Sequence, residues 1–226
     1  MDNSNVLITD MSITFSKVKR AIYLLVKRII DIIVALVGII LMIPAILFIK
    51  IASICTGDFK SIFYSQDRIG KDGKTFKLYK FRSMVPNADE ILMKALAEDK
   101  KLAKEYNKSK KLKNDPRITK MGKILRRTSL DELPQLINIL KGEMSVIGNR
   151  PYLPREKKDM GEYFDEIVKT KPGLTGYWQV AGKKDTTFER RLILEQYYSN
   201  NMSLKLDIKI FFKTFKAVIG GHGADE

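Results

Sequence analysis

The chain has very few of the residues that build disulfides and metal centres. Among its 226 residues there is one cysteine, Cys55, and one histidine, His222. A single thiol excludes an intrachain disulfide and a cysteine-based zinc site, and His222 adds nothing to such a site. We interpret Cys55 as a small apolar side chain near a membrane segment, and His222 as a solvated residue of the glycine-rich tail. Low cysteine use also fits a cytoplasmic location.

Negative charge is scarce as well. Lysine and arginine number 41 against 26 acidic residues, which gives a formal net charge of +15. Such an excess favours a polyanionic partner, and nucleic acid, anionic lipid headgroups and phosphorylated substrates all qualify. Charge does not choose among these partners, but the distribution of the apolar residues does.

One long stretch is almost free of charge. Residues 29–49, IIDIIVALVGIILMIPAILFI, contain a single charged side chain, Asp31, near one end. A helix of that length can cross about 30 Å of hydrocarbon, and the run is too long for the apolar part of a signal peptide. The sequence therefore predicts a membrane segment.

Two features argue against a plain spanning helix. Pro44 lies inside the run, where proline removes one backbone hydrogen bond and is expected to kink a helix. Both flanks are basic, so the tendency of positive loops to stay in the cytoplasm gives little orientation. The residues alone leave two alternatives open. One is a re-entrant helix that bends near Pro44 and returns to the same side, and the other is a single span with a proline kink.

The chain becomes polar after the membrane run, and residues 61–82 predict a β-hairpin. The pair Asp72-Gly73 between two β-rich runs is a strong turn signal. Lys80 and Arg82 share one face of the second strand by the two-residue period, so they can reach a common point. The alternative is that both are solvated residues at a strand end.

Two further helices are predicted. Residues 87–106 form an amphipathic surface helix, which the basic loop 107–117 follows. Near the C-terminus apolar residues recur at helical spacing among lysines, namely Leu204, Ile208, Phe211, Phe212, Phe215 and Ile219. Such a helix can lie in the membrane interface, or it can close the core of the domain.

Two neighbouring acids, Asp131 and Glu132, stand just before a helical pattern that contains Pro134. Proline is tolerated only in the first turn of a helix, so the N-cap is predicted at Asp131 or slightly later. In one interpretation the acids only cap the helix and favour its dipole. In the other, the helix N-terminus attracts phosphate, one ionised carboxylate attacks phosphorus, and the other binds a metal ion.

Arginines surround this acid pair in the sequence. Arg126 and Arg127 precede it and Arg150 follows it. Guanidinium forks fit phosphate oxygens, and a diphosphate with Mg²⁺ needs such neutralisation. Arg126 and Arg127 are surface charges in the alternative interpretation.

Residues 171–182, KPGLTGYWQVAG, are rich in turn formers. Pro172-Gly173 suggests a tight turn, and a short β-like run is predicted from Tyr177 to Val180. The glycines either let the backbone approach a ligand or only serve the turns.

At these residues the chain resembles the monotopic phosphoglycosyl transferases, the bacterial sugar transferases that begin capsule, exopolysaccharide and O-antigen synthesis. The matching segments are Lys27-Arg28 with Asp31, QDRIGKDGKTFKLYKFRSM (66–84), NDPRITKMGKILRRTSLDELPQLINILKGEMSVIGNRP (114–151), KPGLTGYWQVAGK (171–183) and SLKLDIKIFFKT (203–214). They follow one another over nearly the whole chain, and the set is far more specific than any one of them.

The resemblance implies an α+β, mostly helical fold. A re-entrant membrane helix broken at Pro44 precedes a small globular domain with a β-hairpin and amphipathic interface helices. The chain would then divide into a basic N-terminal tail (1–26), the re-entrant helix (27–58) and a catalytic domain (59–226). The expected location is the bacterial inner membrane, with the catalytic domain on the cytoplasmic face.

The resemblance also implies a reaction, the transfer of a sugar 1-phosphate from a UDP-sugar to undecaprenyl phosphate with release of UMP. Asp131 would be the nucleophile that carries the phosphosugar, and Glu132 the acid that binds Mg²⁺. Substrate contacts are expected from Lys80, Arg82, Arg126, Arg150 and Gln179. Mg²⁺ is the only cofactor implied.

The expected partners are the UDP-sugar, undecaprenyl phosphate and the lipid bilayer, with no nucleic acid and with homo-oligomerisation left open. UDP-galactose or UDP-glucose is the expected donor, because residues 152–164 and the GHGA-like ending look like the hexose-transferring branch. The alternative function is a non-enzymatic basic adaptor, anchored in the membrane, that binds anionic lipid or a partner protein.

Some positions depart from the family pattern. Ile43 stands before Pro44 where several relatives carry serine, and Asn149 gives Gly-Asn-Arg-Pro instead of Gly-Pro-Arg-Pro. Lys183 and Glu195 replace the more common arginine and aspartate. The chain lacks the N-terminal spans of longer relatives and is expected to be a minimal form.

Overall fold

The computed structural model of the chain describes residues 3–55, 57–110, 112, 114–182 and 186–219. Its α-helices are α1 Asn3–Cys55, α2 Ala88–Glu98, α3 Lys100–Ser109, α4 Lys120–Arg127, α5 Gln135–Lys141, α6 Lys157–Met160, α7 Phe164–Ile167, α8 Tyr177–Ala181, α9 Phe188–Asn201 and α10 Leu204–Ile219. Its strands are β1 Phe63–Ile69, β2 Thr75–Phe81, β3 Ser145–Ile147 and β4 Gly173–Thr175. The mostly helical α+β fold is confirmed, whereas the predictions for Lys183 and His222 fall outside the described residues.

The predicted hairpin is confirmed. Strands β1 and β2 pair antiparallel, with Gln66 opposite Leu78. The loop between them places Asp72 at φ 57° and Gly73 at φ 74°, a backbone that aspartate and glycine tolerate better than most residues. A second pair, β3 and β4, is parallel and joins distant parts of the chain.

Helix α1 contains the membrane run and is long and apolar enough, between Lys17 and Cys55, to cross a membrane. The chain stays helical on both sides of Pro44, so the break expected at this proline is wrong for the described helix. The predicted boundary between residues 26 and 27 also lies inside α1. The re-entrant path and the division into three segments stay predictions.

A single stripe of α1 packs on the globular part of the chain. Ala35, Met42 and Ile49 are buried at intervals of two helical turns, while the other faces of the apolar run are mostly exposed. Ala35 packs with α5 and β3, whereas Met42 and Ile49 pack with the end of β2 and with α4. The globular part of the chain therefore packs along the length of this stripe, and its contact with α1 is not limited to one end of the helix.

Three polar residues fix the start of this stripe. The Lys27 Nζ lies 2.7 Å from Asp207 Oδ2 of α10. Arg28 donates to the carbonyl oxygens of Ile139 and Leu140 at the end of α5. Asp31 accepts hydrogen bonds from the Ser145 hydroxyl and the Val146 N–H of β3. The only acid in the apolar run is thus a buried, hydrogen-bonded link to the domain.

Three local predictions were wrong. The helix predicted over residues 87–106 is divided into α2 and α3, because Asp99 leaves helical geometry and its carboxylate caps α3 through the N–H groups of Lys101 and Leu102. The run from Tyr177 to Val180 is helical, as α8, and not β-like. The extended segment lies just before it, as β4, where a tight turn was predicted.

Helix α10 has two apolar faces. Ile210 is completely buried, whereas Phe211, Phe212 and Phe215 are exposed, Phe212 by 64%. An exposed aromatic face flanked by lysines on a helix beside a membrane segment is typical of an interfacial helix. The structure thus favours the interfacial alternative for α10, although Ile210 also contributes to the core.

Candidate active site

The acid pair lies in a short 3₁₀ turn, Leu130–Glu132, that leads into α5. Ser129 reverses the chain before this turn with φ 55°, and the N-cap of α5 is Pro134. The side chain of this N-cap makes no capping hydrogen bond. The helix therefore begins slightly after Asp131, as predicted.

Lys80 connects the hairpin to both acids. Its Nζ lies 2.6 Å from Glu132 Oε1 and 3.9 Å from Asp131 Oδ2. The amine thus neutralises part of the charge that two adjacent carboxylates bring together. Asp131 is only 6% exposed, so access to its carboxylate runs past the side chains of its neighbours.

A pocket lies beside the acid pair. Its polar lining residues come from five separate segments and include Arg68, Lys80, Glu132, Gln135, Arg150 and Gln179. Three of the predicted substrate contacts, Lys80, Arg150 and Gln179, therefore meet in one pocket with one of the two predicted catalytic acids. Asp131 is not among the described residues that line the pocket, but its Oδ2 lies 3.9 Å from the Nζ of the lining residue Lys80.

Arg68 and Arg150 make part of the pocket strongly basic. Burial, and then the charge of Arg150, lower the pKa of Arg68 to about 10, so Arg68 remains cationic at neutral pH. The Arg68 guanidinium donates to the Pro151 carbonyl and to the Gln66 side chain, and the backbone N–H of Arg150 donates to buried Glu195. Two arginine side chains beside two acids fit a phosphate-rich ligand.

Three glycines allow the backbone of the pocket wall to close. A Cβ on Gly173 would lie 2.1 Å from the Gly148 nitrogen, and one on Gly176 would lie 2.4 Å from the Gly148 oxygen. Glycine is therefore required at these positions, because any side chain would prevent the backbone of residues 173–176 from packing against the backbone of Gly148. The Gln179 Oε1 accepts the Gly176 N–H, so this side chain also stabilises the start of α8.

Arg82 and Arg126 lie elsewhere. Arg82 forms a two-pronged ion pair with Asp58, and Arg126 donates to the Ser83 hydroxyl. Neither is among the described residues that line the pocket. The predicted common point of Lys80 and Arg82 is absent from the described residues, because β2 ends at Phe81 and the two-residue period ends with it.

The acid pair is chemically suited to Mg²⁺. The described residues contain no group of three or more histidine, cysteine or acidic residues arranged around a metal. Magnesium, however, often takes only one or two protein carboxylates together with substrate phosphates. Glu132 can supply such an oxygen if the Lys80 amine moves from it to the incoming phosphate.

The sequence pattern does not identify all residues of this region. In the sequence Arg68 is only one of the positive charges that flank the membrane run, although it shares one face of β1 with Gln66. Trp178 belongs to a turn-rich stretch of the sequence, yet it lines the pocket, and the Arg191 guanidinium lies 4.5 Å over its ring. The alternation along β1 was the one available signal for Arg68.

Glu195, which departs from the family pattern, gives a pH-dependent prediction. Burial raises the pKa of Glu195 from 4.5 to about 8. Between these values the folded protein keeps a proton that the unfolded chain releases, so the free energy of unfolding falls as the pH rises. Glu195→Gln cannot ionise and keeps an oxygen for the Arg150 N–H.

We therefore expect the melting temperature of Glu195→Gln to exceed that of the wild type by more at pH 8 than at pH 5. Thermal unfolding of both proteins in detergent checks this expectation. A difference that is the same at both pH values would contradict it.

The chain matches a known protein family over most of its length. The family model described as "Bacterial sugar transferase" matches residues 22–221. The chain is 42% identical over 198 residues to the undecaprenyl-phosphate galactose phosphotransferase of Salmonella typhimurium, covering 88% of this chain and 41% of that protein. It is 40% identical over 198 residues to the exopolysaccharide production protein ExoY of Rhizobium meliloti, covering 88% and 87%.

A third relative carries a different sugar in its name. The UDP-N-acetylgalactosamine-undecaprenyl-phosphate N-acetylgalactosaminephosphotransferase of Aeromonas hydrophila is 35% identical over 217 residues, covering 90% of this chain and 46% of that protein. The chain thus spans less than half the length of the Salmonella and Aeromonas relatives, but most of the length of ExoY.

Proposed function

Because the chain belongs to the bacterial sugar transferase family, we propose that it moves a sugar 1-phosphate from a UDP-sugar onto undecaprenyl phosphate and releases UMP. The observation that carries the proposal is the placement of Asp131, Glu132 and Lys80 at the edge of a pocket that contains Arg68 and Arg150. Nucleophile, counter-charge and phosphate-binding cations are thus together in one place.

The reaction follows in two displacements. The Asp131 carboxylate attacks the phosphorus that bears the sugar, the bond from that phosphorus to the bridging oxygen of the diphosphate breaks, and UMP leaves. An oxygen of undecaprenyl phosphate then attacks the same phosphorus, which releases Asp131 and forms the lipid diphosphate sugar. The second displacement restores the Asp131 carboxylate for the next cycle.

Each cationic side chain has a role in this scheme. Arg68 and Arg150 bind the diphosphate oxygens, and Lys80 stabilises charge that develops near Asp131. Mg²⁺, held by Glu132 and the substrate phosphates, would supply further neutralisation of the diphosphate. Arg82 and Arg126 contribute only after their present ion pair and hydrogen bond have rearranged.

The donor is proposed to be a UDP-hexose, with UDP-galactose first. The Salmonella relative is named for galactose, and a 42% identical relative from Erwinia amylovora is named UDP-galactose-lipid carrier transferase. The name of the Aeromonas relative makes an N-acetylhexosamine the main competitor.

A panel of donors tests the function. Purified full-length protein is incubated with undecaprenyl phosphate, Mg²⁺ and either UDP-galactose, UDP-glucose, UDP-N-acetylgalactosamine or UDP-N-acetylglucosamine, and UMP is measured. We expect one UDP-hexose to give the fastest release, and omission of Mg²⁺ to stop it. No release from any donor would refute the transferase and leave the membrane adaptor.

We further propose that the membrane segment is re-entrant and that the domain lies on the cytoplasmic face. Support comes from the packing of the globular part of the chain along α1 from Lys27 to Ile49. If α1 stood perpendicular to the membrane, the polar groups packed beside its far half would lie in lipid, which is costly. The exposed aromatic face of α10 is a second apolar surface that suits the membrane interface.

Cysteine labelling distinguishes the re-entrant path from a span. Cys55 is exposed at one end of α1 and is the only native thiol, and Val18→Cys in a Cys55→Ser background marks the other end of the apolar part of α1. We expect a membrane-impermeant maleimide to label both positions only from the cytoplasmic side, in inside-out vesicles. Labelling of the two ends from opposite sides would show a spanning helix.

A further inference from the structure

Asn138 is a polar residue in the middle of apolar helix α5 and is 0% exposed. Its amide group donates to the Lys77 carbonyl at 2.7 Å and to Glu143 Oε2 at 2.7 Å. Its Oδ1 accepts the Tyr79 N–H at 3.0 Å. Both amide hydrogens and the oxygen of this side chain are therefore used.

Two of these bonds bind one edge of β2. Lys77 and Tyr79 are alternate residues of the strand, so the carbonyl and the N–H that they present to Asn138 point to the same edge. The strands β1 and β2 form a two-stranded sheet, and the side-chain amide takes the place of a peptide from a third strand. Asn138 thus fixes the position of β2 along its own axis relative to α5.

The register fixed by Asn138 determines the geometry of the acid pair. The hydrogen bond from the Tyr79 N–H to Asn138 lies one residue before Lys80 in β2. At the other side of this contact, α5 follows directly on the turn Leu130–Glu132 that carries the acid pair. A slip of one residue would turn Lys80 to the opposite face of the hairpin. The Lys80–Glu132 distance of 2.6 Å depends on this alignment.

We propose that Asn138 is a positioning residue of the transfer reaction, which holds the β2 backbone so that Lys80 meets Asp131 and Glu132. The inference rests on the proposed function. Asn138 touches neither the pocket nor the acid pair among its described contacts, so it acts through the segment of β2 that carries Lys80.

Kinetics of Asn138→Ala test this role. The substitution leaves the Lys77 carbonyl and the Tyr79 N–H without their partner, and the lysine loses its fixed position. We expect kcat for UMP release to fall by about 10–100-fold, because a displacement near 1 Å has that cost in catalysis. KM for the UDP-sugar should change by less than about threefold, because Arg68 and Arg150 are untouched.

A control variant comes from the same pair of elements. The Lys141 Nζ donates to the Tyr79 hydroxyl at 2.8 Å and is an exposed link between α5 and β2. Lys141→Gln is expected to leave kcat and KM unchanged. A loss of kcat for Lys141→Gln as large as that for Asn138→Ala would contradict the special role of the buried amide.

A double-mutant cycle separates positioning from general stability. In a Lys80→Gln background the lysine to be placed is gone, so Asn138→Ala should lower kcat further by less than about twofold. If Asn138→Ala does not fold, Asn138→Asp replaces it in the cycle, because it keeps the oxygen for Tyr79 and loses the donors. If the losses of kcat caused by Asn138→Ala and by Lys80→Gln multiply in the double variant, the proposal is overturned. A wild-type kcat for Asn138→Ala alone would also overturn it.

UMP release by the wild type in the same assay distinguishes failure of the Asn138 proposal from failure of the proposed transferase function. Wild-type UMP release with multiplicative mutant effects refutes the role of Asn138 and leaves the transferase intact. Absence of wild-type release with every donor refutes the transferase, and the role of Asn138 in transfer with it.

Discussion

Replacing Asp131 by asparagine is expected to abolish UMP release. Asparagine has the same shape, but its amide is not a nucleophile towards phosphorus, so turnover should fall by at least about 10³-fold. The fold should persist, because asparagine caps a turn or a helix start as well as aspartate does. Initial rates of UMP release and the melting temperature, measured on the same preparation, check both statements.

The matched control is an acid on the same hairpin that faces solvent. Asp67 pairs with Lys77 at 2.9 Å, and both side chains are at least half exposed. Asp67→Asn should release UMP at the wild-type rate, since an exposed ion pair contributes little. Normal turnover by Asp131→Asn would remove the proposed nucleophile, whereas equal losses in both variants would point to a general charge effect.

Replacing Gly173 by alanine should have the second largest effect. The added methyl group would lie 2.1 Å from the Gly148 nitrogen and 2.6 Å from the Thr175 oxygen, and all these atoms belong to the backbone. No side chain can move to relieve the clash, so β3 and β4 must separate. We expect the free energy of unfolding to fall by about 3 kcal/mol or more and UMP release to be lost, because Gly148 and Gly173 both line the pocket.

Gly57→Ala is the control for Gly173→Ala. A Cβ on Gly57 would meet no described atom within 4 Å, although its φ of +75° disfavours alanine. We expect a loss of about 1 kcal/mol and nearly full activity. Thermal unfolding in detergent measures both variants. A Gly173→Ala protein as stable as Gly57→Ala would show that the two strands do not approach as closely as described.

The features that could be predicted from the sequence depend on local signals. Asp72-Gly73 fixes the hairpin because these residues tolerate positive φ, and Pro134 limits where α5 begins because it lacks an N–H. The long apolar run predicts α1 through its length and its near lack of charge. The direction of the Lys80 side chain follows from the two-residue period of the strand, which holds as far as Phe81.

The features that could not be predicted depend on contacts between distant segments. Arg82 lies one residue past β2, where the period no longer determines direction, and Asp58 takes its guanidinium. The β4–α8 segment is short, and the close approach of Gly173 to Gly148 decides its conformation. The partners of Asn138 on β2 lie about sixty residues away, so nothing in the pattern of α5 identifies them.

The most direct test of the account is the mass of the protein during turnover. Full-length enzyme is mixed with the most active UDP-sugar of the panel and Mg²⁺ without undecaprenyl phosphate, quenched, digested and analysed by mass spectrometry. We predict a sugar-phosphate adduct on the peptide that contains Asp131, its loss when undecaprenyl phosphate is added, and its absence in Asp131→Asn. An enzyme that releases UMP in every turnover but never carries this adduct would contradict the central claim.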